Sequence, residues 1–183
     1  MKSLLITAAA GLLMLTGCAT KLETHADHDR SQSFANYRRF AWMADQPMMA
    51  APEDVARVSP LNRRRIEQAI EKELAGKGFQ KVGRDAADFV VSYTVGARDR
   101  LDVQSYPTPY RGPWLWGYPY FGHDVDVTTY QQGTLSIDIF DGKTHQPVWH
   151  GWGTKRISES DVKNAAELIP PAVASILKSF PPR

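Results

Sequence analysis

The chain has 183 residues, with 22 Lys and Arg against 20 Asp and Glu, and a single cysteine. The near balance of charge excludes a global basic field of the kind that draws a protein to nucleic acid. One cysteine excludes an intramolecular disulfide and a cysteine-built metal site, and the length suits one domain that buries roughly 70% of its unfolded surface.

The first segment reads as an export signal: Lys2, an apolar run from Leu4 to Leu15, then small residues. The run is well short of the roughly 20 residues a bilayer-spanning helix needs, so it is a signal and not an anchor helix. It leads into Leu15-Thr16-Gly17-Cys18, which resembles the lipobox of bacterial lipoproteins. That resemblance implies cleavage of residues 1–17, a diacylglycerol on the Cys18 thiol and an acyl chain such as palmitate on the new amino group. One acyl chain holds a protein at a membrane only marginally, at about 0.8 kcal/mol per methylene, whereas three hold it permanently. Residues 19–22 lack the aspartate that retains similar enteric lipoproteins in the inner membrane, which favours the outer membrane, facing the periplasm.

Residues 18–32 are polar and without apolar periodicity, and read as a lipidated tether; His25, Asp27, His28 and Asp29 are taken as linker residues, not metal ligands. A domain is expected over residues 33–183. Phe34, Tyr37, Phe40 and Trp42 lead into a strand, and the Pro- and Met-bearing stretch 45–59 reads as a loop. Ser59-Pro60 is a helix start, with serine as N-cap and proline in the first turn. Ile66, Ala69, Ile70 and Leu74 follow at helical spacing, and Gly76 and Gly78 close the helix. Residues 79–82 predict a short strand. Residues 88–95 predict a better one, with Phe89, Val91, Tyr93 and Val95 sharing a face. Residues 128–140 alternate again, Asp141-Gly142 marks a hairpin turn, and 148–157 supply its partner strand. A last helical stretch carries Val173, Ile176, Leu177 and Phe180, with Pro170-Pro171 expected to interrupt it. These signals predict an α+β fold: one domain, an antiparallel sheet of about five strands, and two helices packed on one face.

Several motifs in this order resemble the DUF4136 family of bacterial lipoproteins: Phe34-x-x-Tyr37-x-x-Phe40-x-Trp42, Leu74-Ala75-x-Lys77-Gly78-Phe79, and Ala87-Asp88-Phe89-Val90-Val91-x-Tyr93. Gly133-Thr134-Leu135-x-Ile137-x-Ile139-x-Asp141, Val148-Trp149-x-Gly151 and Phe180-Pro181-Pro182 complete the similarity, which spans residues 29–182. The family is a domain of unknown function, so the resemblance implies a fold and a compartment and carries no catalytic residues or cofactor.

No Gly-x-Ser-x-Gly announces a nucleophile, and a non-enzymatic protein without cofactor or metal is expected. The enzymatic alternative, a hydrolase or metal-dependent enzyme, would use His123, Asp124 and Asp126, whose two carboxylates fall on one side of an extended chain. His145 and His150 read as surface residues. The unusual stretch is 106–122, YPTPYRGPWLWGYPYFG, where aromatic residues crowd among four prolines. It reads as a loop, and Tyr110, Trp114, Trp116, Tyr118 and Tyr120 are its candidate contacts for an envelope protein or a glycan. Packing against its own domain and lying at lipid headgroups remain alternatives for the same residues.

Overall fold

The computed structural model describes residues 21–49, 58–109 and 121–182, with 104–109 and 121–125 as backbone alone. Among the described residues a six-stranded sheet carries three α-helices. The strands are β1 (Glu23–His28), β2 (Arg39–Trp42), β3 (Gln80–Lys81), β4 (Phe89–Pro109), β5 (Phe121–Asp141) and β6 (Pro147–Ile157); the helices are α1 (Pro60–Gly76), α2 (Glu159–Lys163) and α3 (Ala165–Leu177). The spatial order is β1-β6-β5-β4-β2-β3.

The α+β class holds, and two details of the expected sheet are corrected. It is mixed: β2 runs parallel to both β3 and β4, while β1, β6, β5 and β4 pair antiparallel. The reason is the connection, because the chain leaves β2, travels along α1 and returns in the same direction, and only a long crossover can join parallel neighbours. The sixth strand is β1, within the stretch expected to be a tether. Glu23–His28 lies along β6, from Glu23 opposite Thr154 to His28 opposite Trp149, and all six residues are exposed.

Helix α1 starts at Pro60, as its sequence predicts, but Ser59 makes no side-chain cap bond. Its C-terminus is closed by backbone instead. Phe79 N–H donates to Leu74 O at 3.0 Å and Gly78 N–H to Ala75 O at 2.9 Å, with Gly78 at φ 91°. This is a Schellman closure, in which only glycine takes the left-handed position without strain, and buried Phe79 and Leu74 make its apolar contact. Ser158 and Asp161 form a reciprocal capping box on α2. Helix α3 runs unbroken through Pro170 and Pro171, against the expected interruption. Both prolines, with Ala166 and Glu167 whose carbonyls lose their donors, lie on the exposed side, where water replaces the missing bonds. The break falls earlier, at Asn164 between α2 and α3.

The two longer helices bury Ile66, Ile70 and Leu74 from α1 and Val173, Ile176 and Leu177 from α3 against one face of the sheet. Phe89, Val91, Tyr93, Ile137 and Ile139 meet them from β4 and β5, all with no exposed surface. Polar links fasten the rim. Tyr37 hydroxyl donates to Asp141 Oδ2 at 2.8 Å, while Asp141 Oδ1 accepts from the Lys143 and Thr144 backbone and shapes the β5–β6 turn. Burial and the facing carboxylate push the Tyr37 phenol well above its ordinary range.

Asp88 ties β2 to β4. It takes an Arg39 guanidinium bond at 2.9 Å and the backbone N–H groups of Arg38 and Arg39, and the Arg39 bond chiefly holds its carboxyl down to about 2. A carboxyl whose folded pKa lies below its unfolded value stabilises the fold above the unfolded value, near 4, and loses that contribution as pH falls toward 2. Asp88→Asn should therefore lower neutral-pH stability by about 1–2 kcal/mol and flatten the decline between pH 4 and 2, read by urea unfolding at a series of pH values. A decline in the variant as steep as in the parent would show that Asp88 does not carry this linkage.

Candidate functional site

Strands β4 and β5 pair without interruption from Phe89 opposite Asp141 to Pro109 opposite Phe121. Their neighbours are much shorter. On one side the last partner is Met48, bridged to Tyr93; on the other, β6 ends at Ile157 opposite Gln131. From Arg100 opposite Tyr130 outward, the described sheet is a two-stranded ribbon, and at about 3.3 Å per residue it projects roughly 33 Å. The expectation that 106–122 is all loop is corrected at its ends, since residues 106–109 and 121–122 continue the ribbon.

The ribbon is two-faced by simple alternation. Leu101, Val103 and Val127 lie on the face that the helices cover nearer the body, and they are 68%, 60% and 54% exposed. The opposite face carries Arg98, Arg100, Asp102, Asp126 and Tyr130. Arg100 Nε donates to Gln132 Oε1 at 2.9 Å, and the Arg156 guanidinium sits 4.4 Å over the Tyr130 ring.

Pro109 and Phe121, paired at the ribbon's end, bring together the two ends of the stretch that holds Tyr110, Trp114, Trp116, Tyr118 and Tyr120. Those five residues and Cys18 lie outside the described residues. His123 and Asp124 fall on the ribbon backbone opposite Pro107 and Tyr106, and Asp126 is an exposed residue opposite Gln104. Among the described residues no group of three His, Cys, Asp or Glu is arranged to hold a metal ion. His145 sits in the β5–β6 turn at φ 57°, apart from His150 on β6.

A second cluster, on the sheet face away from the helices, was not foreseen. His25 of β1 stacks on Trp152 at 5.3 Å between ring centroids, and His150 stacks on the same indole at 5.0 Å. His150 Nδ1 lies 2.5 Å from Asp138 Oδ1, and Asp138 is paired across the ladder with Ser92. Asp138 thereby fixes the orientation of the imidazole, as a carboxylate does for a base or a metal-binding histidine. Ser92 is fully buried and its Oγ makes no hydrogen bond, so serine, histidine and aspartate form no relay here. One sequence signal marks this cluster, the i, i+2 spacing of His150 and Trp152; residues 23–28 hold Ala26 as their one apolar residue and read equally as linker.

Residues 24–182 match the family model DUF4136, described as a domain of unknown function. The fold is similar to that of a DUF4136 family protein from Bacteroides thetaiotaomicron, with TM-score 0.54 and 16% identity over 87% of this chain and 96% of that one. A PDZ domain protein from Parabacteroides distasonis gives 0.48 and 15%, covering 88% of this chain and 35% of that one. The PelC dodecamer from Paraburkholderia phytofirmans gives 0.47 and 11%, covering 89% and 99%. At these identities the likeness is one of fold alone. No curated protein sequence matches the chain.

Proposed function

The chain belongs to the DUF4136 family, a domain of unknown function, and from that premise we propose that it is a non-enzymatic binding or assembly module of the bacterial envelope. In this reading lipid on Cys18 tethers it to the outer membrane, facing the periplasm, and residues 110–120 make the contact with a partner. The observation that carries the reading is the ribbon: a scaffold of two 21-residue strands presents both ends of that aromatic stretch about 33 Å beyond the six-stranded body. Aromatic side chains bring large contact area with few rotors, which suits an envelope protein pocket or the flat face of a sugar. The tether is short in this arrangement. β1 begins at Glu23, so residues 19–22 alone separate the lipidated cysteine from the sheet, and the five steps from Cys18 to Glu23 span at most about 18 Å.

The test is replacement of Trp114, Trp116 and Tyr120 together by alanine, with crosslinking from the ribbon tip in intact cells and circular dichroism as the control. Loss of the captured envelope protein or glycan with an unchanged spectrum is the expected result. Undiminished capture would overturn the reading, and loss of the folded spectrum would assign the stretch to packing against its own domain instead.

A further inference from the structure

The free edge of the ribbon has a register of its own. Val91 O accepts from Met43 N–H, Tyr93 N–H donates to Pro47 O, and Tyr93 O accepts from Met49 N–H, so at Val91 and Tyr93 the peptide groups point away from β5. The β4–β5 ladder has no shift, and alternation carries the same orientation to Ala97, Asp99, Leu101, Val103 and residue 105. Among the described residues nothing pairs with β4 on that side beyond Tyr93. The next two outward positions are Pro107 and Pro109, which have no N–H to offer. The pairing edge is therefore bounded, from 97 to 105, and its centre is Leu101.

We propose that a second copy of this chain pairs with this edge, antiparallel about a two-fold axis at Leu101. In that register 101 faces 101, 99 faces 103 and 97 faces 105. Their outward peptide groups meet as hydrogen-bonded pairs. Arg100 then faces Asp102 of the other copy twice, at the non-hydrogen-bonded positions where side chains come closest, with Cα atoms about 4.5 Å apart. The charge pattern selects this register. Moving the axis one residue inward pairs Arg98 with Asp102 but also sets Arg100 against Arg100, and one residue outward sets Asp102 against Asp102 with no opposite pair. Only the axis at Leu101 gives two opposite pairs without a like pair directly opposite, which destabilises a ladder.

The limits of the edge agree with this. Beyond 97–105 the next pair would set Pro107 against residue 95, and the one after that would set Pro109 against Tyr93, whose edge is already taken by Pro47 and Met49. The prolines stand where pairing has to stop.

Dimerisation also adds strands to a ribbon that has an apolar face. A two-stranded ribbon is marginal in water, while three or more strands with a shared apolar face are stable. Two ribbons side by side make four strands, with both Leu101 side chains at the centre of one face and Val103 and Val127 of each copy beside them. The proposal does not depend on what residues 110–120 bind.

Sedimentation of the full mature chain in detergent tests it. The parent is expected as a dimer. Arg100→Asp, which sets acid against acid at both positions, should weaken association about tenfold or more, and the double variant Arg100→Asp with Asp102→Arg should restore it. Leu101→Cys should crosslink symmetrically on oxidation, because a hydrogen-bonded pair sets Cα atoms about 5.5 Å apart, within disulfide reach. A monomeric parent at about 100 µM, an Arg100→Asp protein as dimeric as the parent, or vesicle binding by a strictly monomeric chain through Leu101 would each overturn it.

Discussion

Phe89→Ala should lower the unfolding free energy by about 3–5 kcal/mol, a large fraction of the roughly 5–15 kcal/mol that holds a domain folded. Phe89 has no exposed surface and is the ring on which the core converges. Tyr37 and Phe40 stack against it at 5.2 and 6.0 Å, Phe79 meets it edge-on at 5.2 Å, and Phe180 closes from the C-terminus at 5.5 Å. These four neighbours come from the stretch before β2, from β2, from the end of α1 and from beyond α3. The site therefore cannot collapse on alanine without moving several elements, and the cavity term adds to the lost transfer energy. Thermal or urea unfolding followed by near- and far-ultraviolet circular dichroism checks this. A loss under about 1 kcal/mol would show that Phe89 is not the hub.

Gly151→Ala has the second largest expected effect, a loss of about 2–3 kcal/mol from a single added methyl group. A Cβ at position 151 would stand 2.2 Å from Trp149 Cη2 and within 3 Å of two more atoms of the same six-membered ring. Trp149 is 2% exposed and packs against Phe180 at 5.4 Å, so the indole has nowhere to go. Two comparisons make the prediction specific. Gly96→Ala, on β4 with nothing within 4 Å, should be within about 0.5 kcal/mol of the parent. Trp149→Phe removes the clashing atoms, so Gly151→Ala should cost less in that background, giving a favourable coupling in a double-variant cycle. Equal losses in both backgrounds would place the penalty in the backbone and not in the ring.

The elements with side-chain periodicity were legible. Helix α1 was, because Ile66, Ala69, Ile70 and Leu74 are one stripe with glycines after it, and so was the start of β4, where Phe89, Val91 and Tyr93 take one face. Strand β1 was not. Glu23-Thr-His-Ala-Asp-His28 is exposed throughout and is a strand because its peptide groups pair with β6, an interaction that leaves no mark on side-chain pattern. With β1 misplaced, His25 could not be brought to Trp152, and the cluster with His150 and Asp138 stayed invisible.

The ribbon was missed for another reason: Pro107 and Pro109 are loop signals in a linear reading. They are tolerated in β4 because, by the alternation set at Tyr93, their missing N–H groups face the free edge and leave the ladder to β5 intact.

By itself the amino-acid sequence determined the α+β class, the family, the buried stripes of α1 and β4 and the turn after β5, all features set by residues near one another along the chain. The tertiary structure alone decided the parallel placement of β2, the pairing of β1, the path of α3 through two prolines and the projection of β4 and β5 beyond their neighbours. Each of these depends on where backbone donors and acceptors find partners across the chain, and backbone groups are the same at every residue but proline.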